Sequence, residues 1–111
     1  MTQFYFDSGQ GILKCHFTGR MDTMTCSSED SLVQAQVAEA SKSLTAEGNP
    51  QGDLKVIFDL QGVDYIASAF IRICLTVAKA LEKGNFSIVN TNPQIKKVFI
   101  IAGLDENLNV S

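Results

Sequence analysis

The chain has 111 residues and a mass of 12.1 kDa, which is enough for one domain and too short for two. Apolar residues make up 45% and charged residues 19%, a composition typical of a folded chain and not of a disordered one. The 9 basic and 12 acidic residues give a net charge of −3 without a basic stripe, so we expect no nucleic-acid binding.

A β-hairpin is the first predicted element. Its strands are expected at 4–6 and 12–17, where apolar residues partly alternate, and a turn rich in glycine lies between them at 8–11. Gly19 is predicted to terminate the second strand.

A helix is predicted over 27–47, where apolar residues recur at helical spacing on one face: Val33, Val37, Ala40 and Leu44. Ser27, with Asp30 three residues later, resembles a helix N-cap, and Gly48 is placed to end the helix. The composition of 48–53 indicates a loop.

The clearest strand covers 54–60, and its run of β-branched and aromatic residues indicates a central position in a sheet. A long helix is predicted over 68–83, with Ser68 as its N-cap. Its polar residues form one narrow stripe: Arg72, Thr76, Lys79 and Lys83. We therefore expect this helix to be buried over most of its circumference.

The last predicted elements are a strand over 86–90, a third helix and a short strand near 108–110. Asn92 and Pro93 are typical of a helix N-cap and first turn, and Gly103 ends the helix. Its predicted apolar face comprises Ile95, Val98, Phe99 and Ala102. A strand, a helix and a strand in this order indicate a parallel crossover, so the fold class is α/β, with a small mixed β-sheet and helices packed on it.

Targeting and redox signals are not found. The N-terminal segment does not have the pattern of a signal peptide, and charged residues interrupt every apolar stretch before the roughly 18 residues that a membrane span needs. The three cysteines match neither a disulfide framework nor a zinc site. We expect a cytoplasmic protein with no membrane insertion, no metal and no cofactor.

Enzyme signatures are scarce. His16, the single histidine, has no second ligand or orienting carboxylate at a recognisable spacing, which favours a structural role over a catalytic one. Cys74 is predicted to be a core residue, whereas Cys26 near a helix start is either a small buried residue or a thiolate. Asp59 and Asp64 are interpreted as strand-end and turn residues, with paired carboxylates or a metal site as the alternative. We expect a protein that is not an enzyme.

The junction between the central strand and the long helix is the best location for a site, because crevices in α/β folds form at the carboxyl ends of strands. Ser68 there is either a simple helix cap or part of an anion site at the positive end of the helix. Phe70 is either a core aromatic or an exposed anchor for a partner.

Three blocks of the sequence resemble the STAS domain family of bacterial anti-sigma-factor antagonists. The G-R-M-D-T stretch at 19–23 resembles the G-x-L-D-x-x-[ST] turn of the family. The stretch at 56–66 is similar to its central strand and turn, and 86–105 is similar to its closing strand and helix. The resemblance spans about 11–110 and implies one STAS-like (SpoIIAA-like) domain over 1–111.

The family signature D-S-[ST]-G, whose third residue accepts a phosphoryl group from a serine kinase, aligns with 67–70. This chain has Ala67 in place of the aspartate, Ala69 in place of the phosphoacceptor and Phe70 in place of the glycine. Ser68 is retained, although the corresponding serine is not the usual acceptor in the family.

The resemblance implies that the protein binds an anti-sigma factor, a serine-kinase-like protein, by partner switching. The residues expected at the contact are Asp22, Thr23, Ser68, Ala69, Phe70 and Arg72. Because an alanine methyl cannot accept a phosphoryl group, we expect a binder that does not respond to the kinase, with phosphorylation at Ser68 as the alternative.

Other interpretations stay open at this point. They are an accessory subunit of a transport ATPase complex and a STAS module that binds a small molecule at the Ser68 crevice. A homo-oligomer is conceivable through the strand at 4–6, although an internal hairpin explains that strand equally well.

Overall fold

The computed structural model describes residues 2–7, 9–46, 54–81 and 84–111, and only the backbone of 45–46. Within these ranges the chain forms six strands and three helices. In chain order they are β1 (Thr2–Asp7), β2 (Ile12–Phe17), β3 (Gly19–Met21), α1 (Thr23–Ala46), β4 (Lys55–Asp59), β5 (Val63–Ile66), α2 (Ser68–Ala80), β6 (Phe86–Val89) and α3 (Pro93–Ile101).

Four of the strands form a mixed sheet in the order β1-β2-β4-β6. β1 runs antiparallel to β2, whereas β2, β4 and β6 are parallel to one another. The two remaining strands, β3 and β5, pair in parallel as a separate ribbon. The predicted α/β class with a small mixed sheet and packed helices is confirmed, as are the first hairpin and the parallel crossover from β4 to β6.

The core lies between the sheet and the helices, and aromatic rings form its centre. The Phe58 ring on β4 meets Phe17 on β2 and Phe86 on β6 edge to face, each with ring centroids 4.9 Å apart. All three side chains are buried, which explains the run of β-branched and aromatic residues in the central strand.

Gly19 was predicted to terminate a strand, but it is the first residue of β3. Its φ of +86° is a conformation that favours glycine, and it lets the chain pass from β2 into the ribbon with β5. β5 was not predicted either, because strands of three and four residues are too short to show a periodic pattern.

α1 begins four residues before the predicted start. Asp22 caps it, since its Oδ1 accepts a hydrogen bond from the Thr25 backbone N–H at 2.9 Å, so the predicted cap at Ser27 is wrong. The four predicted apolar residues of this helix are all buried. The predicted end at Gly48 and the loop at 48–53 lie outside the described residues.

α2 is shorter and less buried than predicted. It ends at Ala80, and Leu81 is extended, although the prediction continued to 83. One side is buried, comprising Phe70, Ile73, Cys74 and Val77, and three residues of the predicted polar stripe are exposed: Arg72, Thr76 and Lys79.

α3 has the predicted N-terminus. The Asn92 side chain accepts a hydrogen bond from the Ile95 N–H at 2.8 Å, and Pro93 is the first helical residue. Only Ile95 and Phe99 are buried, so the predicted placement of Val98 and Ala102 on the core side is wrong. The strand predicted at 108–110 is reduced to a single parallel bridge between Val110 and Ile88.

Candidate functional site

The ribbon of β3 and β5 brings the starts of two helices together. Met21 and Ile66 are register partners, and the Ala67 N–H donates a hydrogen bond to the Met21 carbonyl oxygen at 2.9 Å. α1 and α2 begin within two residues of these strand ends. Residues that are 46 positions apart in sequence, Asp22 and Ser68, therefore lie at neighbouring helix N-termini.

Five of the six predicted contact residues lie on this shared surface, which we call the helix-start surface: Asp22, Thr23, Ser68, Ala69 and Arg72. Thr23, Ser68 and Arg72 are exposed, and Asp22 and Ala69 are partly exposed. The structure thus brings these five together, and their contact with a partner stays a prediction.

Phe70, the sixth residue, is fully buried. Its ring packs edge to face on Phe17, with centroids 5.2 Å apart, and lies 6.1 Å from the Phe58 ring. The interpretation of Phe70 as an exposed anchor is therefore wrong, since the side chain points away from the helix-start surface. The ring completes the aromatic core and leaves the outer surface of α2 unobstructed.

Asp22 is held as a carboxylate at the start of α1. Hydrogen bonds from the Thr25 backbone and side chain, aided by the Arg20 charge, lower the pKa of Asp22 below its usual value, although desolvation opposes this. Arg20 Nε lies 4.0 Å from Asp22 Oδ2, and the Arg20 guanidinium carbon lies 4.0 Å from the Tyr65 ring centroid. The fixed negative charge suits a helix N-terminus.

Ser68 was predicted to be the N-cap of α2, but it is the first helical residue. Ala67 occupies the cap position with an extended backbone and makes no side-chain hydrogen bond. A serine, threonine or aspartate normally accepts a backbone N–H at this position. The start of α2 thus differs from that of α1, because no side chain caps it.

A groove of about 400 Å³ separates α1 from α2 and begins at the helix-start surface. Three residues of that surface line it, namely Thr23, Ala69 and Arg72, and the other lining residues include Ser27, Asp30, Gln34 and Thr76. Hydroxyl, amide and charged groups share the lining with apolar surface, and Ile73 and Cys26 lie at the base. Such an open depression of mixed polarity suits both hydrogen bonds and apolar contacts with a protein or peptide.

Cys26 is buried beneath the groove as a neutral thiol. Its Sγ lies 3.6 Å from the Met21 carbonyl oxygen, and burial raises its pKa to about 11. The thiolate alternative is therefore wrong, and the predicted core position of Cys74 is confirmed.

A second polar cluster lies at the carboxyl end of the central strand. Asp59 is buried, and its carboxylate accepts hydrogen bonds at 3.0 Å from the Gln61 N–H and the Asn90 side chain. Lys14 Nζ and His16 Nδ1 lie 3.5 and 3.6 Å from its other oxygen. His16 thus has an orienting carboxylate, which sequence spacing did not reveal because the pair joins register partners of β2 and β4.

The environment of Asp59 keeps it charged. Desolvation raises the pKa, but the hydrogen bonds from Gln61 and Asn90, together with His16 and Lys14, outweigh it and lower the pKa of Asp59 below its usual value. The carboxylate joins the turn before β5 to the turn before α3. Asp59 is thus a strand-end residue, as interpreted from the sequence, with additional partners on β2 and after β6.

Sequence reasoning missed three exposed residues beside the helix-start surface: Arg20, Met24 and Tyr65. The Met24 side chain is 85% exposed at the second position of α1, and Tyr65 is 40% exposed. The tight pairing of Arg20 with Tyr65 follows from their register across the ribbon. A large apolar residue directly after the Asp22 turn was the available signal, since methionine is frequent at adaptable binding surfaces.

Comparison with known proteins identifies the family to which the sequence is similar. The STAS domain model matches residues 7–111. BtrV from Bordetella bronchiseptica (strain ATCC BAA-588 / NCTC 13252 / RB50), provisionally named an anti-sigma factor antagonist, is 31% identical over 86 residues, which is 76% of this chain and 74% of BtrV.

Two solved structures have the same fold. An anti-sigma factor antagonist from Mycobacterium paratuberculosis superposes with a TM-score of 0.74 at 20% identity, covering 99% of this chain and 83% of that one. The unphosphorylated form of the anti-sigma factor antagonist SpoIIAA gives 0.64 at 16% identity, covering 91% and 83%. Among the described residues, no helix has the length and apolarity needed to cross a membrane.

Proposed function

The chain belongs to the STAS domain family, and we propose that it is an anti-sigma factor antagonist, a regulatory binding protein rather than an enzyme. The observation that carries the proposal is the meeting of the Asp22 turn and the start of α2 on one exposed surface. These are the two segments through which the family resemblance implies partner contact. The name of the BtrV relative supports the same assignment.

We propose that the partner is an anti-sigma factor of the serine-kinase type. The surface offers it a fixed carboxylate at Asp22, an exposed cation at Arg72 and hydroxyl groups at Thr23 and Ser68. Paired polar groups of both signs favour a specific protein contact, because each charge restricts which partner surface fits. Met24 and Tyr65 supply the apolar and aromatic contacts that dominate such interfaces.

Regulation of this binding is proposed to differ from the usual phosphorylation switch. Ala69 occupies the acceptor position on the exposed start of α2 and has no hydroxyl to modify. A phosphate adds nearly two negative charges to a surface and breaks a complex by repulsion and desolvation. Without that acceptor, the complex is expected to persist when the kinase is active. Ser68, exposed one residue earlier, is the alternative acceptor.

Docking is tested with the purified serine-kinase-type anti-sigma factors of the source bacterium, using calorimetry against the full chain. Arg72→Glu is expected to weaken binding by at least about tenfold, since it reverses a charge within the surface. Lys79→Glu is the matched control, because it reverses an exposed cation on the same helix two turns away. Equal losses of affinity in both variants, or no binding by the wild type, would contradict the proposal. Binding to a transporter ATPase in place of the anti-sigma factor would favour the accessory-subunit interpretation.

The regulatory part is tested separately, by incubating the complex with ATP and measuring the intact mass of the chain. We expect no added phosphate and an unchanged affinity. Stoichiometric phosphorylation that Ser68→Ala abolishes would overturn kinase insensitivity while leaving the docking assignment in place.

A further inference from the structure

The strand β1 leaves one edge of the main sheet open. It pairs with β2 along its whole length in a continuous antiparallel register, and within the described residues no other strand lies beside it. Native edge strands usually carry a proline, a lysine, a bulge or a covering segment that prevents pairing with other chains. β1 has no proline, no lysine and no bulge. Its main chain is therefore available to a further strand.

The turn before β2 shows which backbone groups of β1 face this open edge. The Gly11 N–H donates a hydrogen bond to the Asp7 carbonyl oxygen at 2.8 Å, so this carbonyl points toward β2. Backbone groups alternate in direction along a strand, so every second residue counted back from Asp7 bonds β2. The outward N–H and C=O groups belong to the residues between them: Thr2, Phe4 and Phe6. The edge thus offers three donors and three acceptors.

We propose that β1 binds β1 of a second copy of the chain, antiparallel and about a two-fold axis at Phe4. In this register Phe4 faces Phe4 of the other copy, and Thr2 faces Phe6 of the other copy. Each such pair exchanges two N–H···O bonds, so the three pairs satisfy all six outward groups of each copy. Paired residues share a face, so the helices of both copies lie on the same side of the joined sheet.

The side chains on the outer face of β1 suit this arrangement. Gln3 faces Tyr5 of the other copy, and both side chains are exposed. Within one chain the Tyr5 hydroxyl donates to Gln3 Oε1 at 3.0 Å, and the same two groups meet across the axis. Asp7, the single charged residue of β1, lies beyond the paired residues 2–6, so no like charges face each other.

On the helix side, α1 adds an apolar residue beside the open edge. Gln36 and Glu39 line a small depression together with Phe6, so this flank of α1 lies over β1. Leu32, one turn before Gln36 on the same flank, is 51% exposed. The contact therefore has an apolar component on each face of the sheet, Leu32 on the helix side and Tyr5 on the outer side.

Self-complementarity favours a second copy over an unrelated strand. The outward groups are symmetric about Phe4, so a second β1 matches them without any further requirement on sequence. A strand of six residues is only about 20 Å long, so the contact is small and lies at the weak end of protein interfaces. We therefore expect a dimer that forms and dissociates with concentration, through an edge separate from the helix-start surface.

Sedimentation velocity of the full chain, from about 10 μM to 1 mM, tests the dimer. The wild type is expected to shift from monomer to dimer over this range. Thr2→Pro should weaken dimerisation by at least about tenfold, because it removes an outward N–H from two of the three pairs and leaves the bonds to β2 intact. Thr2→Ala is the matched control, since it loses the same hydroxyl but keeps the N–H. A wild type that is monomeric at 1 mM, or equal dimerisation by the two variants, would overturn the proposal.

Disulfide trapping tests the register. Facing residues of a pair without hydrogen bonds have Cα atoms about 4.5 Å apart, within disulfide reach, whereas diagonal neighbours lie about 7–8 Å apart. In oxidised glutathione, a mixture of Gln3→Cys and Tyr5→Cys chains should therefore cross-link at least about tenfold faster than either variant alone. The native cysteines do not compete, because all three are buried. Faster cross-linking of Tyr5→Cys with itself would exclude an axis at Phe4.

Discussion

At the residue scale, Asp59 shows how a buried charge is retained. Its carboxylate leaves water, yet each of its oxygens has partners on neighbouring segments, so the charged form is favoured in the folded protein. The sequence indicated a strand end at this position but not the partners, because Lys14 and His16 lie on β2 and Asn90 follows β6, and only the fold brings these segments together. Phe70 illustrates the opposite case, since it lies across α2 from the polar stripe of Arg72, so the helical pattern itself favoured its core position.

The lowered pKa of Asp59 predicts a pH-dependent stability. In the unfolded chain, Asp59 has the ordinary aspartate pKa of about 3.9, and in the folded chain its pKa is lower. Between these two pKa values the unfolded chain therefore binds more protons than the folded one. This contribution is fully present above about pH 5 and is lost as the pH falls through the folded pKa. Asp59→Asn should lower the free energy of unfolding at pH 7 by about 1.5–3 kcal/mol and flatten its dependence on pH below about pH 5.

Urea denaturation across this pH range measures both effects. Asp64→Asn is the matched control, since Asp64 is exposed on β5, and it should change neither the stability nor the pH slope appreciably. An Asp59→Asn protein with the wild-type slope would show that Asp59 does not supply the pH dependence.

At the element scale, the two helices of the helix-start surface begin differently. Asp22 caps α1, whereas Ala67 leaves α2 without a side-chain cap. Sequence patterns predicted the three helices, whose apolar residues recur over several turns, and the central strand, whose apolar residues form a continuous run. They misplaced the start of α1, since only Cys26 continues its apolar face within 23–26, and they missed β3 and β5. The meeting of Asp22 with α2 depends on that short ribbon, so the site itself required the structure.

A cap at Ala67 should stabilise the protein. The backbone there is already extended, with φ −97° and ψ 167°, as a capping residue requires. Ala67→Ser places a hydroxyl acceptor near the N–H groups of Ala69 and Phe70 in the first turn and should raise the free energy of unfolding by about 1 kcal/mol. Urea denaturation with Ala80→Ser as the control separates capping from helix propensity, because serine at the exposed last residue of α2 caps no N-terminus. Equal losses of stability in both variants would contradict the prediction.

At the scale of the whole molecule, the two edges of the main sheet differ. β1 forms one edge, and within the described residues it pairs only with β2. At the other edge, the C-terminal segment covers β6. The Ile88 N–H donates to the Asn109 carbonyl oxygen at 3.2 Å, and the Ser111 N–H donates to the Ile88 carbonyl oxygen at 2.9 Å. Covering an exposed edge in this way limits pairing with other chains.

Leu108 anchors this covering segment, because its side chain is fully buried while Asn109 and Val110 contact β6. Leu108→Ala should lower the free energy of unfolding by about 2–5 kcal/mol through loss of buried surface and the cavity it leaves. Hydrogen exchange at the Ile88 amide should also accelerate more than exchange in β4, since the cover detaches before the sheet opens.

Leu32→Ala on α1 is the control for the loss of a leucine side chain. Because Leu32 is 51% exposed, its truncation should cost far less stability and should leave Ile88 exchange as in the wild type. If Leu108→Ala accelerated exchange equally at Ile88 and throughout β4, Leu108 would support the fold as a whole rather than the edge. If exchange accelerated at Ile88 but not in β4, the residues after Leu108 would act as a cover of the β6 edge, in agreement with the bridge between Val110 and Ile88.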